Sequence, residues 1–143
     1  MNIAIASDHR GYELKCKIIS YLKEKGYNIN DYGTDNNEST DYPIYAFKVG
    51  ESISNNINDL GILICGTGIG MSIACNKVKN VRCGKVNSVE EAILTKEHNH
   101  ANVIAISENV DNVFEIIDAF INTEYLDEEK HNRRVEMIDK YDN

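Results

Sequence analysis

Short apolar runs alternate with longer segments of helical periodicity along this sequence, and that alternation restricts the folds open to it. Residues 60–64 form the clearest strand, because they are apolar at nearly every position, as expected of a strand buried on both faces. Four weaker strands are predicted at 3–6, 27–32, 81–86 and 103–106. Strands separated by helices favour a parallel sheet with helices on both faces and right-handed crossovers.

The helical segments carry start and stop signals. Apolar residues at helical spacing, from Leu14 to Leu22, predict a first helix that ends at Gly26. Pro43 fits the first turn of a second helix, whose apolar positions extend to Ile57. Further helices are predicted from about 70 to 78, from a capping box at Ser88 and Glu91 to about 96, from 113 to 120, and from 128 to 141.

These elements predict a Rossmann-like, three-layer α/β/α fold with a five-stranded parallel sheet and an extra C-terminal helix. In that last helix only Val135 and Ile138 are obvious packing residues. The sequence shows no internal repeat, low-complexity segment or linker, so we expect a single domain over residues 1–143.

The charge and cysteine content narrow the class of protein. A formal net charge of -8 argues against a nucleic-acid partner, although a small phosphorylated substrate needs only a local basic cluster. Residues 1–6 enter the first strand without a signal-peptide pattern, and no apolar stretch approaches transmembrane length, so we expect a cytoplasmic protein with no membrane partner. The four cysteines lack C-x-x-C spacing, which favours reduced thiols over disulfides or a zinc site.

Ligands of open α/β sheets bind beyond the carboxyl ends of the strands, which directs attention to the residues that follow each strand. Residues 7–11 follow the first strand and residues 65–70 follow the third. The polar residues 98–100 lie just before the fifth strand. We expect these three sets to share one edge of the sheet.

The glycine loop, residues 65–70 (Cys-Gly-Thr-Gly-Ile-Gly), is the strongest motif. Glycines at three alternate positions let backbone N–H groups approach a ligand and form an anion site, and the helix that follows adds its positive end. In such surroundings Cys65 is favoured as a thiolate, which acts as a nucleophile or as a base. The alternative is an ordinary tight turn with a buried thiol.

Three known loop signatures do not fit the glycine loop. Its G-x-G-x-G spacing departs from the dinucleotide fingerprint G-x-G-x-x-G. Gly70 is followed by Met71 and Ser72, so the Lys of a P-loop and the closing Arg of a cysteine phosphatase are both missing. A hydrolase that uses Cys65 with His98 stays open.

Three other candidate features have simpler explanations when each is taken alone. Asp8 follows a strand and could cap the first helix. His98 could end a helix, where its charge suits the dipole. The basic group at Lys130, His131, Arg133 and Arg134 could be a solvated helix face.

The motifs, taken together and in order, resemble type B ribose 5-phosphate isomerase. They cover the chain from residue 2 to about 138, and the glycine loop together with the His-Asn pair is specific. The matching residues are 7–11, 33–34, 40–43, 65–70, 76–77, 97–99 with Asn102, and 131–135.

The resemblance implies an aldose–ketose isomerase that interconverts ribose 5-phosphate and ribulose 5-phosphate in the non-oxidative pentose phosphate pathway, without metal or cofactor. Cys65 would remove the proton next to the carbonyl to give an enediolate. Thr67 and the backbone N–H groups of Gly66, Gly68, Ile69 and Gly70 would stabilise its oxyanion. His98, with Asp8, would open the sugar ring.

The resemblance also implies the substrate contacts and the assembly. Tyr42 would line the sugar pocket, and Asn99 would bind a hydroxyl. His9 and Arg134 would bind the phosphate, together with positions 109 and 130. Members of the family form homodimers, often tetramers, with a site shared between two chains, so a monomer should be inactive.

This chain departs from the family pattern at positions that bind phosphate. Lys130 and Asn109 stand where the family usually carries arginines, which predicts weakened phosphate binding. His100 replaces a usual aspartate and Ser107 a usual glycine.

Three rival functions stay open at this point. One is isomerisation of a six-carbon phosphate, either allose 6-phosphate or galactose 6-phosphate. The retained His98–Asn99 pair argues against galactose 6-phosphate. The second is the cysteine hydrolase. The third is a non-catalytic phosphosugar-binding module.

Overall fold

The computed structural model describes residues 1–141, whose five strands form one parallel sheet. The strands are β1 (Asn2–Ser7), β2 (Asn28–Asp31), β3 (Leu60–Cys65), β4 (Cys83–Lys85) and β5 (Val103–Ser107). Their order across the sheet is β2-β1-β3-β5-β4, and every neighbouring pair is parallel. The predicted five-stranded parallel sheet is confirmed.

Six helices connect and follow these strands in the described residues. They are α1 (Tyr12–Glu24), α2 (Tyr42–Ser54), α3 (Ile69–Cys75), α4 (Val89–Glu97), α5 (Val113–Asn122) and α6 (Glu129–Lys140). The cores on the two faces of the sheet involve different helices: α1, α4 and α5 pack on one face, and α2 and α3 on the other. The three-layer α/β/α prediction is therefore confirmed.

The period of two along each strand assigns side chains to the two cores. In β1, Ile3 and Ile5 face the layer of α1 and α5, whereas Ala4 and Ala6 face α2 and α3. Because both faces are covered, the residues of the three central strands β1, β3 and β5 are nearly all apolar, which is why these strands could be predicted from the sequence.

The helix and strand ends differ from the predictions in three places. The second helix stops at Ser54, because Asn56 takes a left-handed φ of 58°, so Ile57 lies outside it and is 55% exposed. The third helix ends at Cys75, short of the predicted residue 78, and so is only two turns long. The fourth strand keeps only three residues, since it pairs with β5 alone at the edge of the sheet.

Helix α6 packs through different residues than predicted. Val135 is buried as expected, but Ile138 is 52% exposed and His131 is buried instead. None of the helices between residues 1 and 141 has the length and apolar composition needed to cross a bilayer.

Because all strands are parallel, the sheet has a carboxyl edge, where the strands end, and an amino edge, where they begin. The loops after β1, β3 and β5 meet at the carboxyl edge, since these strands are neighbours in the sheet. The segment between α4 and β5, residues 98–102, lies at the amino edge. This polarity decides which predicted site residues meet within one chain.

Candidate active site

Cys65 is the last residue of β3, and its side chain turns toward the layer of α2 and α3. The thiol is buried, with 5% of the residue exposed. The backbone N–H of Gly68 donates to Sγ of Cys65 at 3.1 Å. The sulfur therefore lies at the start of the glycine loop, with a backbone donor directed at it.

The glycine loop is held by its own contacts. Gly68 has a φ of +81°, and a Cβ there would stand 3.0 Å from the backbone carbonyl carbon of Ile106. The Thr67 hydroxyl accepts a hydrogen bond from the N–H of Ile69 at 3.1 Å, while the residue itself is exposed. The helix that follows the loop, α3, has only seven residues, so we expect the loop N–H groups, more than a helix dipole, to bind an anion.

The loop after β1 packs directly on the end of β3. The N–H of Asp8 donates to the carbonyl of Ile64 at 3.2 Å. The buried Asp8 carboxylate accepts from the N–H groups of Arg10 at 2.9 Å and Gly11 at 3.3 Å. Asp8 therefore fixes the turn that leads into α1, and it does so within the predicted site.

His9 is oriented by the loop that precedes α2. Its Nδ1 accepts a hydrogen bond from the N–H of Thr40 at 3.2 Å. In the neutral ring this contact puts the proton on Nε2, which can then donate to an anion. The Tyr42 ring follows in the same segment and lies against Gly70, where a Cβ would be 2.7 Å from it.

The loop after β5 closes this half of the site. The Ser107 hydroxyl donates to the carbonyl of Gly66 at 2.8 Å, and the N–H of Glu108 donates to the carbonyl of Cys65 at 2.9 Å. The N–H of Asn109 donates to the Ser107 oxygen at 3.2 Å. This segment places Asn109 at the carboxyl edge, on the same side of the sheet as His9.

The sequence analysis missed an ion pair at this edge. Arg10 Nε donates to Glu108 Oε2 at 3.0 Å, and Arg10 Nη2 donates to Glu108 Oε1 at 2.8 Å. The partners are 98 positions apart, so no local pattern signals the pair. Both residues lie in segments that follow strands, β1 and β5, and this was the sequence signal that could have indicated the pair.

His98 does not share this edge with Cys65 in one chain, so the expectation that residues 98–100 lie there is wrong. His98 follows α4 and precedes β5, and a residue before a parallel strand lies at its amino end. The five residues of β5, at about 3.3 Å each, separate the two edges by about 16 Å. A hydrolase dyad of Cys65 and His98 is therefore not formed within one chain.

The amino edge gathers the remaining predicted residues. The rings of His98 and His131 stack with centroids 4.5 Å apart and planes at 14°. Burial, and then the positive field of His98, lower the pKa of His131. Lys130 and Arg134 lie on the same helix, α6, one position before and three after His131.

Two further contacts define this second cluster. Asn99 lines a cavity of about 240 Å³ together with Thr95 and Gly84. Arg82 Nη1 donates to both carboxylate oxygens of Asp139, at 2.8 and 3.0 Å, which ties the end of α6 to the start of β4. The predicted site is thus split into two half-sites at opposite edges.

The surface around the glycine loop is unusually apolar. Helices α2 and α3 pack against each other beside it, and their outer faces expose large hydrophobic side chains. These are Tyr42 (39% exposed), Ile44 (48%), Phe47 (40%), Ile69 (54%) and Ile73 (65%). Large apolar side chains exposed on two neighbouring helices are a candidate interaction surface.

A separate cavity of about 660 Å³ lies at the end of β2 and beside α2. Thr34, Tyr45 and Lys48 line it, and none of the predicted catalytic residues does. This cavity is therefore separate from the predicted site around Cys65.

Comparisons with known proteins agree with the observed fold and identify the family. Residues 3–138 match the family model described as Ribose/Galactose Isomerase. Ribose-5-phosphate isomerase B of Escherichia coli is 40% identical over 139 residues, which cover 95% of this chain and 93% of the relative.

Two solved structures show the same architecture. Ribose-5-phosphate isomerase B of Clostridium thermocellum matches with a TM-score of 0.94 and 42% identity, over 97% of this chain and 95% of that one. The Mycoplasma genitalium enzyme, solved with bound ribulose-5-phosphate, matches with a TM-score of 0.92 and 40% identity, over 98% and 95% of the two chains.

Proposed function

This chain belongs to the ribose/galactose isomerase family, and we propose that it interconverts ribose 5-phosphate and ribulose 5-phosphate. The observation that carries the proposal is the buried Cys65 thiol, which accepts the Gly68 N–H at the head of the glycine loop. The related Mycoplasma genitalium structure holds the ketose product of this reaction, which supports the five-carbon substrate. We place the reaction in the cytoplasm, in the non-oxidative pentose phosphate pathway, and assign it to one domain over residues 1–143.

The chemistry needs a base and an oxyanion site on one edge. The Cys65 thiolate takes the proton from C2 of the open-chain aldose, and the electrons move to the carbonyl oxygen to give an enediolate. The N–H groups of Gly66 and Gly70, with the Thr67 hydroxyl, stabilise the negative oxygen, because those of Gly68 and Ile69 already donate within the loop. Transfer of the hydroxyl proton from O2 to O1, with return of the proton from the Cys65 thiol to C1, gives the ketose.

Ring opening requires an acid–base group that the Cys65 half-site of one chain does not supply. We assign that role to the partner subunit's His98, with the partner subunit's Asn99 binding a sugar hydroxyl. The exposed apolar side chains of α2 and α3 border the glycine loop and fit a second copy of the chain. A homodimer would bring the carboxyl edge of one chain to the amino edge of the other.

The two half-sites also divide the phosphate contacts. His9 belongs to the half-site of Cys65, and its Nε2–H can donate to a phosphate oxygen. Lys130 and Arg134 belong to the other half-site, on α6. A closed site would therefore hold the phosphate between basic groups of two chains.

The test is formation of ribulose 5-phosphate from ribose 5-phosphate, with and without EDTA. Parent activity should survive EDTA, because the base is a side chain, and Cys65→Ala should lower kcat by about a hundredfold or more. Cys16→Ala, an exposed thiol on α1, is the matched control and should keep parent activity.

Allose 6-phosphate is assayed in parallel. Faster turnover of this hexose phosphate than of ribose 5-phosphate would replace the five-carbon assignment. A folded, oligomeric parent that turns over neither sugar would refute the isomerase proposal, and an acyl-enzyme burst with an activated ester would replace it with a cysteine hydrolase.

A further inference from the structure

The side chain of Arg10 lies against the glycine loop. A Cβ placed on Gly66 would stand 3.7 Å from both Cζ and Nη1 of Arg10. The guanidinium therefore lies close to the first glycine after Cys65, at the distance at which an added methyl group would touch it. Arg10 follows His9 directly in the chain, so two basic residues lie at the same half-site.

Glu108 holds Arg10 through only part of its guanidinium. Nε and Nη2 each donate to one oxygen of Glu108. A guanidinium carries five N–H donors, so the two bonds to Glu108 leave three, including both on Nη1 beside Gly66. Arg10 can bind a second anion without leaving its partner.

The exposure of the two partners differs. The Arg10 side chain is 57% exposed, whereas that of Glu108 is 19% exposed. The N–H of Glu108 is also bonded to the carbonyl of Cys65. Glu108 is thus the fixed member of the pair, and it presents a solvent-facing cation beside the catalytic loop.

The surroundings of Arg10 suit a phosphate group. Arg10, Lys17 and Asn109 line one surface pocket of about 240 Å³ together with Glu13, Leu14 and Glu108. Arg10 and Lys17 are the cations of that pocket, Glu13 and Glu108 are its carboxylates, and Asn109 contributes no charge. The planar arginine fork matches phosphate oxygens in two parallel hydrogen bonds, which a lysine cannot do.

We propose that Arg10 binds the phosphate of the substrate and is the principal phosphate-binding cation of the Cys65 half-site. This inference rests on the proposed function for the identity of the substrate. Glu108 orients the guanidinium, but its carboxylate also repels the phosphate dianion. The two members of one ion pair therefore have opposite effects on affinity.

This opposition separates a phosphate-binding role from a structural one. Arg10→Ala should weaken phosphate binding about tenfold or more, and Arg10→Lys should fall between it and the parent because charge remains without the fork. Glu108→Gln removes the repulsion and keeps one acceptor for Arg10. It should bind phosphate about two- to fivefold more tightly.

The experiment measures equilibrium binding in a Cys65→Ala background, which stops turnover. The Kd values of ribose 5-phosphate, inorganic phosphate and D-ribose are determined by calorimetric or ³¹P and ¹H NMR titration. We expect Arg10→Ala to raise the first two and to leave that of D-ribose unchanged. In the Cys65 protein the same substitution should raise KM more than it lowers kcat.

Several outcomes would overturn the inference. Unchanged phosphate binding in Arg10→Ala, or equal weakening in Arg10→Ala and Glu108→Gln, would make the pair a structural link only. If Arg10→Ala fails to fold, the comparison of Arg10→Lys with Glu108→Gln decides in the same way. Phosphate binding that depends on Arg10 in a protein without isomerase activity would uphold the inference and refute the proposed function.

Discussion

The backbone N–H of Gly68 points at the sulfur of Cys65 and donates to it at 3.1 Å. This contact depends on a left-handed φ of +81° at Gly68, which a glycine adopts without penalty. The loop thereby delivers a hydrogen-bond donor to the base before substrate arrives. Preorganisation of this kind reduces the reorganisation needed in the transition state.

Gly68→Ala should impair both catalysis and stability. The new Cβ would meet the backbone of Ile106 at 3.0 Å, in addition to the unfavourable φ, so the loop must shift away from Cys65. We expect kcat to fall about tenfold or more through loss of the donor. Isomerase assays and urea denaturation measure the two effects.

The matched control is Gly26→Ala. Gly26 has a φ of +90° but nothing within 4 Å of an added Cβ. It should lose about 1–2 kcal/mol of stability from backbone strain alone and keep its kcat. Equal kcat values in the two variants would show that the Gly68 contact is not used in catalysis.

Much of the fold could be predicted because its signals are local. The central strands β1, β3 and β5 are buried on both faces, and Gly26 and the Ser88–Glu91 capping box mark helix ends. The capping box is confirmed by a hydrogen bond from the Glu91 N–H to Ser88 Oγ at 3.1 Å. The stop at Ser54 depends on a left-handed Asn56, which ordinary periodicity does not reveal. Ile57 consequently looked like a helix residue.

The site was harder to predict because its contacts are not local. Cys65 and the glycine loop could be identified from the sequence because they are contiguous, at residues 65–70. The prediction that His98 lies at the carboxyl edge is wrong, because a residue just before a parallel strand must lie at the amino edge. The Arg10–Glu108 pair joins the ends of β1 and β5, and only the strand order brings these together.

The Arg82–Asp139 ion pair should contribute measurably to stability and to substrate affinity. The Arg82 side chain is 14% exposed, and its Nε also donates to the carbonyl of His100 at 2.9 Å. Arg82→Ala should lower the free energy of unfolding by about 1–3 kcal/mol. It should also raise KM, because the helix it anchors, α6, carries Arg134.

An exposed pair on the same helix provides the control. Lys140 and Glu136 are 74% and 61% exposed, so Lys140→Ala should change stability by about 0.5 kcal/mol or less. Urea denaturation and steady-state kinetics measure both variants. Similar losses from Arg82→Ala and Lys140→Ala would contradict an anchoring role for Arg82.

Stability should fall as the pH drops through the histidine range. Burial lowers the pKa of His131 from its ordinary 6.5, so the unfolded chain binds that proton more readily than the folded chain. The contribution of neutral His131 to the free energy of unfolding is fully present above about pH 6.5. It declines as the pH falls from there toward the lower pKa of the folded state. Burial lowers the pKa of His100 as well, with the same sign.

His131→Gln tests this assignment, because glutamine does not titrate. The variant should show a shallower decline of Tm between about pH 7 and pH 5 than the parent, with the remainder due to His100. Thermal unfolding followed by circular dichroism at several pH values measures the slope. A slope as steep as that of the parent would assign the pH dependence to other groups.

A site shared between two chains predicts that two inactive variants restore each other. Cys65→Ala and His98→Asn disable different half-sites, which lie at opposite edges of the sheet. In a mixed dimer, one site carries both substitutions and the other carries none. Half of the dimers formed by random exchange are mixed, so co-expression should recover about a quarter of the parent's active sites.

The recovery must come from chain exchange and not from contamination. Each variant purified alone should have little activity, and the double variant Cys65→Ala/His98→Asn, co-expressed with Cys65→Ala, should recover none. That control forms dimers equally well but never assembles Cys65 in any site. Activity no higher in the Cys65→Ala and His98→Asn mixture than in either variant alone would overturn the shared site.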